Sequence, residues 1–361
     1  MPHNNLHIKK WLLPLSWLYG FVVFVRNKLF ECKILKQKKY DIPVICVGNI
    51  TVGGTGKTPH TEYLIELLQS DYKIAVLSRG YKRKSKGFVL AERNSTVDQI
   101  GDEPYQIKGK YPDVIVAVDS ERQRGIENLL ALPEDKKPDV ILLDDAFQHR
   151  YVKPSFTILL TDYNRLMTRD KLLPAGRLRE PVHYAEKANV IIVTKCPDGI
   201  TPLDLRLLAK DIHAYPYQDL FYTSFRYGSL MPVFAENEEE LSLKKLQNKD
   251  VLLVAGIANP RPFFKKVKRY IKKAETMQYP DHYQFTSKDI SEMRSCLAGM
   301  GDKDKVIIVT EKDAARFRSM DNLDDDIKSI LYYLPIRVSF VNEEDKKLFN
   351  NKIVDHVREN S

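Results

Sequence analysis

A glycine-rich loop between a buried strand and a helix constrains the fold of this chain more than any other feature. The loop runs from Gly48 to Thr58 and reads GNITVGGTGKT, directly after the apolar residues 42–47. Glycines allow backbone N–H groups to turn inward around phosphate oxygens, and the N-terminus of the next helix adds its positive end. Lys57 is placed to reach the β- and γ-phosphates of a nucleotide, and Thr58 is placed to ligate magnesium.

The loop departs from the strict G-x-x-x-x-G-K-[ST] pattern, because the first glycine of that pattern would fall at Thr51. It resembles instead the G-G-x-G-K-[ST] variant of P-loop ATPases, whose additional lysine would fall at Val52. A mechanism that needs this lysine is therefore in doubt. An ordinary glycine turn is disfavoured, because strand, loop, Lys-Thr pair and helix all agree. The predicted ligands in the loop are Gly53, Gly54, Thr55, Gly56, Lys57 and Thr58.

Short apolar runs separated by helical stretches continue along the chain. The predicted strands cover residues 42–47, 74–77, 114–118, 140–143, 156–160 and 190–193, and the predicted helices cover 58–68 and 122–130. Buried strands that alternate with helices form a mostly parallel sheet with helices on both faces. The fold class is therefore α/β, with a P-loop NTPase-like α/β/α sandwich.

A second α/β set begins later, with predicted strands at 251–254 and 306–309 and a basic helix that runs to about Lys273. A Glu-rich stretch at 236–240 marks a boundary before it. We therefore predict four parts, which are an N-terminal hydrophobic helix in 1–30, a nucleotide-binding domain in 31–220, an extended linker in 221–245 and a smaller α/β domain in 246–361. The last helix, near 343–358, can pack on either domain.

Two adjacent acids end the apolar strand VILLDD at residues 140–145. A Walker-B acid lies at the end of such a strand, beside the P-loop, and holds magnesium directly or through water. The alternative is that Asp144 and Asp145 cap the next segment. Adjacent side chains on an extended strand point in opposite directions, so only one of the two faces the metal, and we prefer Asp145.

Candidates for a group that accepts or steers a hydroxyl proton are less distinctive. Asp102 and Glu103 lie in the segment GDEP, where Asp102 reads first as a helix cap with Pro104 in the first turn. They are also candidates for proton transfer, because this loop follows the second strand of a nucleotide-binding half. His282 is a lone histidine, which is usually a surface or satisfied residue. Arg177 lies in a Gly- and Pro-containing loop and could hold phosphate charge.

The N-terminal residues 11–25 read WLLPLSWLYGFVVFV and carry no charge. This run is too short for a transmembrane helix, which needs about 18 residues or more. It is either a buried first helix or a helix that lies in a membrane interface. Both tryptophans of the chain fall in it and basic residues flank it, which favours the interface.

The chain carries 57 basic and 48 acidic side chains, a net charge of +9 that suits an anionic membrane, a phosphorylated substrate or nucleic acid. No nucleic-acid-reading motif is present, so we predict no nucleic-acid partner. The four cysteines show no C-x-x-C pairing and indicate reduced thiols in a cytoplasmic protein.

Taken together, the motifs resemble the tetraacyldisaccharide 4'-kinase family, the lipid A kinases of Gram-negative bacteria. The matching segments run in order over nearly the whole chain and are together highly specific, whereas the P-loop alone indicates only an NTPase. They read VGNITVGGTGKTP (47–59), LSRGY (77–81), GDEP (101–104), LDDAFQHR (143–150), LLPAGRLREP (172–181), VTKCP (193–197), AGIANP (255–260), DHYQF (281–285) and VTEKDAARF (309–317).

The resemblance implies that ATP and Mg²⁺ are used to phosphorylate the 4'-hydroxyl of tetraacyldisaccharide 1-phosphate, which gives lipid IVA. It also implies a kinase domain and a smaller domain that closes over the active site, and a hydrophobic N-terminal helix on the cytoplasmic face of the inner membrane. We expect a peripheral, monomeric protein. The roles implied are catalysis by Asp102, His282 and Lys57, nucleotide binding by the P-loop with Glu103 and Arg177, and metal binding by Thr58, Asp144 and Asp145.

Two competing interpretations remain open from the residues alone. A P-loop ATPase switch or membrane-targeting protein would use the same loop variant, but its signature lysine is absent at Val52. A nucleic-acid-binding NTPase is suggested only by the net charge, which a membrane and a phosphorylated substrate also explain.

Overall fold

The computed structural model describes residues 8–234, 240–271, 273–301, 304–320 and 323–360. Residues 1–7 of the predicted N-terminal part and 236–239 of the predicted Glu-rich boundary lie outside this description. The strands are β1 (Val44–Gly48), β2 (Ile74–Ser78), β3 (Val89–Leu90), β4 (Ile115–Val118), β5 (Val140–Asp144), β6 (Phe156–Asp162), β7 (Val190–Thr194), β8 (Asp219–Tyr227), β9 (Met231–Pro232), β10 (Asp250–Ala255), β11 (Ala274–Gln278), β12 (Lys305–Thr310), β13 (Leu331–Leu334) and β14 (Ile336–Phe340).

The α-helices alternate with the strands along the chain, and every helix predicted from the sequence is present. They are α1 (Leu13–Glu31), α2 (Lys57–Leu68), α3 (Val97–Ile100), α4 (Asp102–Lys110), α5 (Arg122–Leu130), α6 (Pro202–Ile212), α7 (Arg261–Val267), α8 (Ser287–Ala298), α9 (Glu311–Arg318), α10 (Asp325–Ile330) and α11 (Glu343–Asn360). The basic helix α7 is shorter than predicted, because it ends at Val267 and the edge strand β11 follows it.

The larger sheet has the strand order β14-β8-β7-β6-β1-β5-β2-β4-β3. Its strands pair in parallel, except that β3 and β14 at the two edges run antiparallel to their neighbours. Side chains alternate between the two faces of a strand. Accordingly Ile45 and Val47 of β1 join the core formed with α2, α4 and α11, whereas Val44 and Cys46 join the core formed with α5. This three-layer arrangement confirms the predicted α/β/α sandwich.

The smaller sheet has the strand order β11-β10-β12-β13-β9 and is parallel except for the short strand β9. Phe263 and Val267 of α7 pack on one face of it. Met293 of α8 and Phe317 of α9 pack on the other face. A second α/β unit is therefore present, as predicted.

The chain passes between the two sheets along the antiparallel pair β8 and β14. Residues 219–227, which the sequence placed largely in the linker, belong to the larger sheet, because Phe221 and Thr223 are buried in it. Residues 336–360 also return to that sheet, and α11 packs there through Phe349 and Ile353. The sequence boundaries missed this return, because strand pairing between residues so far apart leaves no local signal.

Helix α1 lies against the larger unit with only part of its surface covered. Ser16, Val23, Asn27 and Phe30 are buried, whereas most of its large apolar side chains are exposed. Within the described residues, none of the helices combines the length and the apolar character that a membrane crossing requires.

Candidate active site

The P-loop leaves β1 and enters α2 at a position that only glycine can occupy. Gly56, directly before α2, has φ +92°, and a Cβ there would lie 2.6 Å from Cζ of Phe225 on β8. Gly53 has φ +116°, a backbone region that side chains disfavour. This glycine geometry is compatible with backbone N–H groups that turn inward around phosphate, which stays a prediction from the sequence.

The rest of the loop is fixed by buried hydrogen bonds. The fully buried Asn49 donates from Nδ2 to Oγ1 of Thr55 at 2.8 Å. Thr194, at the end of β7, donates from Oγ1 to the carbonyl oxygen of Thr55 at 2.8 Å. Lys195 donates from Nζ to the carbonyl oxygen of Gly54 and pairs with Asp162. These bonds fix the backbone of the loop, which lowers the cost of ordering it when phosphate binds.

Lys57 and the second acid of the predicted pair are in contact. Lys57 Nζ lies 3.5 Å from Oδ1 of Asp145, which also receives Nη2 of Arg179 at 2.9 Å. Burial would raise the pKa of Asp145, but the charges of Lys57 and Arg179 outweigh it and hold that pKa below its usual range. Asp145 has φ +50°, a left-handed backbone that is rare outside glycine and that often marks functional sites.

Asp144 has a different environment from its neighbour. It pairs in register with Val47 at the start of the P-loop, and its Oδ1 is buried without a hydrogen-bond partner among the described residues. Burial, opposed by Lys57 and reinforced by the charge of Asp145, raises the pKa of Asp144 to about 7. An orphaned buried carboxylate oxygen beside a P-loop fits a magnesium ligand.

The described residues contain no cluster of three or more acidic, histidine or cysteine side chains that would hold a metal alone. This agrees with magnesium in nucleotide sites, which keeps waters and is held by one or two carboxylates together with the phosphates. Thr58, the second residue of α2, is the remaining predicted ligand, and its hydroxyl lies in the first turn of that helix.

Asp102 and His282 are brought together from the two sheets. Nδ1 of His282 lies 2.9 Å from Oδ2 of Asp102, although the residues are 180 positions apart. Arg316 of α9 donates to the same oxygen, from Nη2 at 2.7 Å and from Nε at 3.1 Å. Burial would raise the pKa of Asp102, but the hydrogen bonds from His282 and Arg316 hold it well below its usual range.

The interpretation of Asp102 as a helix cap is wrong. Asp102 is the first residue of α4, Gly101 occupies the cap position, and no side-chain cap hydrogen bond forms there. The carboxylate instead contacts the His282 ring and the Arg316 guanidinium of the other unit, because a charged hydrogen bond outweighs a single backbone contact. His282 has φ +60°, so its backbone occupies a constrained position.

Lys312 of α9 links the neighbouring predicted residues. Its Nζ lies 2.9 Å from Oε1 of Glu103 and 3.1 Å from Nε2 of His282. The charge of Glu103 also contributes to the raised pKa of Asp144. Glu103 therefore connects the Asp102–His282 pair electrostatically to the acids beside the P-loop.

Arg177 is exposed and lies beside the P-loop, since a Cβ on Gly53 would be 3.9 Å from its Nη1. Its backbone carbonyl accepts a hydrogen bond from the N–H of Val52 at 2.7 Å. The loop that carries Arg177 also contacts α1, where Ser16 donates from Oγ to Leu172 and Tyr19 donates to the carbonyl oxygen of Arg179. The N-terminal helix is thus attached directly to a wall of the site.

Sequence reasoning missed four basic residues at this site. Arg316 and Lys312 lie in the motif VTEKDAARF (309–317), whose residues by themselves indicate no role in the site. Arg179 lies in the same loop as Arg177. Arg122, the first residue of α5, is buried, with Nε and Nη2 unpaired within the described residues and with the charges of Asp144 and Asp145 nearby. The one sequence signal for a role of Arg122 in the site is its position shortly after the strand predicted at 114–118.

Comparison with known proteins gives one consistent result. A family model described as LpxK, tetraacyldisaccharide-1-P 4'-kinase, matches residues 8–357. The chain is 52% identical over 355 residues to a tetraacyldisaccharide 4'-kinase of Parabacteroides distasonis. The aligned region covers 98% of this chain and 96% of the relative. It is 50% identical over 369 residues to the protein of the same name from Bacteroides thetaiotaomicron, which covers 100% of this chain and 96% of the relative.

Among solved structures, the chain is similar to LpxK from Aquifex aeolicus, crystallised in complex with ATP. The TM-score is 0.73 at 29% sequence identity, with 97% of this chain and 99% of the other covered. The similarity therefore extends over both sheets and the segment between them.

Proposed function

The chain belongs to the tetraacyldisaccharide-1-P 4'-kinase family, and on that premise we propose which of its residues carry the reaction. The reaction transfers the γ-phosphate of ATP, with Mg²⁺, to the 4'-hydroxyl of tetraacyldisaccharide 1-phosphate in lipid A biosynthesis. Phosphoryl transfer depends on positioning and charge stabilisation more than on covalent chemistry. The residues to assign are therefore those that bind the phosphates and the metal and those that place the attacking hydroxyl in line with the bond that breaks.

The phosphates of ATP bind in the loop from Gly53 to Thr58. The glycine geometry there exposes backbone N–H groups, and the N-terminus of α2 adds a positive end. Lys57 neutralises the β- and γ-phosphates, for which it exchanges its contact with Asp145. Arg177, exposed at the rim of the loop, stabilises charge on the transferring group.

Asp144 and Thr58 hold Mg²⁺, and Asp145 acts mainly through Lys57 and Arg179. The orphaned Oδ1 of Asp144 supports this division, because Asp145 already has two cationic partners. This reverses the preference for Asp145 that the sequence suggested. Mg²⁺ held by Asp144 and Thr58 would neutralise negative charge on the phosphates.

Asp102 receives the sugar hydroxyl, with His282 as its supporting partner. His282 and Arg316 both bind Oδ2 of Asp102, which leaves Oδ1 to accept the hydrogen bond of the hydroxyl. The low pKa of Asp102 means that it mainly orients the hydroxyl early in the step. Oδ1 takes the hydroxyl proton late, as the new P–O bond forms and the bond from the γ-phosphorus to the bridging oxygen of ATP breaks, with ADP as the leaving group. Lys312 and Glu103 complete the wall around this pair.

The exposed apolar side of α1 lies on the inner membrane at its cytoplasmic face. Trp11, Trp17 and Phe21 are exposed by 78%, 72% and 63%, and the same helix is bonded to the loop of Arg177. This arrangement brings an acylated substrate held in a bilayer beside the phosphate donor. The protein acts as a monomer, and its two units close over the site through the contact between Asp102 and His282.

The single observation that carries these roles is the Asp102–His282 contact, which joins the two units beside a P-loop. The test is transfer of label from γ-labelled ATP to tetraacyldisaccharide 1-phosphate in detergent with Mg²⁺. We expect Asp102→Asn to lose at least about a hundredfold in turnover, the scale of proton-transfer groups, while it still binds ATP. Asp98→Asn is the matched control, since Asp98 lies on the neighbouring helix α3 and its carboxylate pairs, within the described part of the chain, with the exposed Lys84. Near-normal turnover of Asp102→Asn would remove the role assigned to that residue.

A further inference from the structure

A buried charge cluster lies away from the site just described, at the junction of three helices. Lys110, the last residue of α4, places Nζ 2.6 Å from Oε2 of Glu62 on α2 and 2.9 Å from Oε1 of Glu311 on α9. The side chains of Glu62 and Glu311 are only 4% and 10% exposed. One ammonium group therefore joins helices from both units.

Each of these three helices also carries residues of the active site. Helix α2 begins with Lys57 and Thr58, α4 begins with Asp102 and Glu103, and α9 contributes Lys312 and Arg316. A displacement of any one helix would therefore change the distance between the phosphate loop and the Asp102–His282 pair.

Helices α4 and α9 are paired at both of their ends. Arg316, near the end of α9, binds Asp102 at the start of α4, whereas Glu311 at the start of α9 binds Lys110 at the end of α4. The two helices consequently run in opposite directions, and the two ion pairs are separated by about 12 Å along α4 and about 7.5 Å along α9, given the rise of 1.5 Å per residue in an α-helix. Two separated contacts fix both the position and the tilt of α4.

The surrounding hydrogen bonds show that both carboxylates are fixed as well. Glu62 also accepts from Nε2 of Gln106 at 2.8 Å, and Glu311 accepts from the backbone N–H of Ile336 at 3.2 Å. Ile336 begins β14, the strand that returns to the larger sheet. The cluster therefore joins the P-loop helix, the Asp102 helix, the smaller unit and the returning strand.

The charge balance makes the lysine essential to this arrangement. Burial, followed by the charge of Glu311, raises the pKa of Glu62 above its usual range. Two buried carboxylates without a shared cation would repel each other, and a buried charge that has lost its partner is strongly unfavourable. Without Lys110, α2 and α9 would be pushed apart.

We infer that Lys110 is a positioning residue for phosphate transfer, because with Glu62 and Glu311 it sets the distance between the ATP site and Asp102. Its effect is exerted through the helices and not through contact with substrate. The inference rests on the proposed role of Asp102, and a displacement of about 1 Å at a reacting group reduces rates by about a hundredfold.

The experiment compares Lys110→Met, Lys110→Arg and Lys110→Met/Glu62→Gln in the full-length enzyme. We expect Lys110→Met to lower kcat by on the order of 10- to 100-fold, with the Kd for ATP within about twofold of wild type. Lys110→Arg should recover most of kcat, because it keeps the charge. Lys110→Met/Glu62→Gln should recover part of it, because it removes one of the two opposed carboxylates.

Lys108→Met is the matched control, since Lys108 lies on the same helix and its Nζ, among the residues that the structure describes, donates to the carbonyl oxygens of Pro112 and Val114 just beyond that helix. A purely structural role predicts a lower melting temperature for Lys110→Met with wild-type kcat per folded molecule, and that result would overturn the inference. Failure of the assigned base is recognised separately, because Asp102→Asn would then keep its turnover whatever Lys110→Met does.

Discussion

At the scale of single residues, two adjacent aspartates of one motif have opposite electrostatic states. Asp145 is held ionised by Lys57 and Arg179, whereas burial raises the pKa of Asp144 to about 7. The difference arises because only the side chain of Asp145 meets the two cations directly. A group that is half protonated near neutral pH and has an unpartnered oxygen is suited to exchange a proton for a metal ion.

Binding of Mg²⁺ should therefore depend on the protonation of Asp144. Its folded-state pKa is raised, so the carboxylate is free above about pH 7 and must lose a proton below it. We expect the apparent affinity for Mg²⁺, measured by titration with ADP present, to fall about tenfold between pH 8 and pH 6. Asp144→Asn should remove that part of the pH dependence, and only the titration of the nucleotide itself should remain. An identical pH dependence in both proteins would contradict the assignment.

At the scale of elements, α1 and the loop of residues 172–180 are joined by hydrogen bonds and form one unit. The helix uses Ser16, Tyr19 and Asn27 to bind residues 172–180, and it leaves its large apolar side chains exposed. A helix that packed only for stability would turn those side chains inward, because each large apolar side chain buried is worth about 1.5–3 kcal/mol. The exposed side is therefore the feature that needs a partner.

Replacing Trp17 and Phe21 by serine should weaken binding to bilayers. Both side chains are exposed in the protein, so the fold should tolerate the change. Loss of two apolar groups that enter the bilayer should reduce the partitioning of the protein into vesicles at least about tenfold. The measurement is co-sedimentation with anionic phospholipid vesicles, together with ATP binding in solution, which should stay unchanged. Serine at Leu203 and Leu348, which are 66% and 62% exposed elsewhere, is the matched control. Equal loss in both proteins would argue against a specific role for α1.

At the scale of the whole molecule, the two units are joined by charge as much as by the strand pair β8 and β14. Asp102 meets Arg316 and His282 of the smaller unit, and both Asp102 and Arg316 are buried. The low folded-state pKa of Asp102 means that its contribution to stability is present above about pH 4. That contribution is lost as the pH falls through the lower folded-state value.

Arg316→Met should therefore destabilise the protein at pH 7, where the full contribution of Asp102 is present. Removing one partner of a buried pair costs about 3–5 kcal/mol, and urea unfolding measures the change. Arg318→Met, which loses the hydrogen bond to the carbonyl oxygen of Val233 and the contact with the Tyr333 ring, both within the smaller unit, should cost about 1–2 kcal/mol. Asp102→Asn combined with Arg316→Met should recover part of the loss. If the two single arginine variants are equally stable, the charge contact does not join the units.

The sequence by itself determined the main features that lie within one strand–loop–helix unit. The P-loop from Gly53 to Thr58, the strand that ends in Asp144 and Asp145, and the α/β class follow from neighbouring residues and from local periodicity. Such signals survive without a tertiary structure, because backbone geometry and the alternation of side chains are set over a few residues.

Only the tertiary structure decided how these units meet. Asp102 finds His282 and Arg316 across 180 and 214 positions, and Lys110 meets Glu311 across 201. Tertiary packing also decided the return of residues 336–360 to the larger sheet. It decided as well the different environments of Asp144 and Asp145. The physical reason is that burial and ion pairing depend on which distant segments are packed together, and no local pattern of residues records that choice.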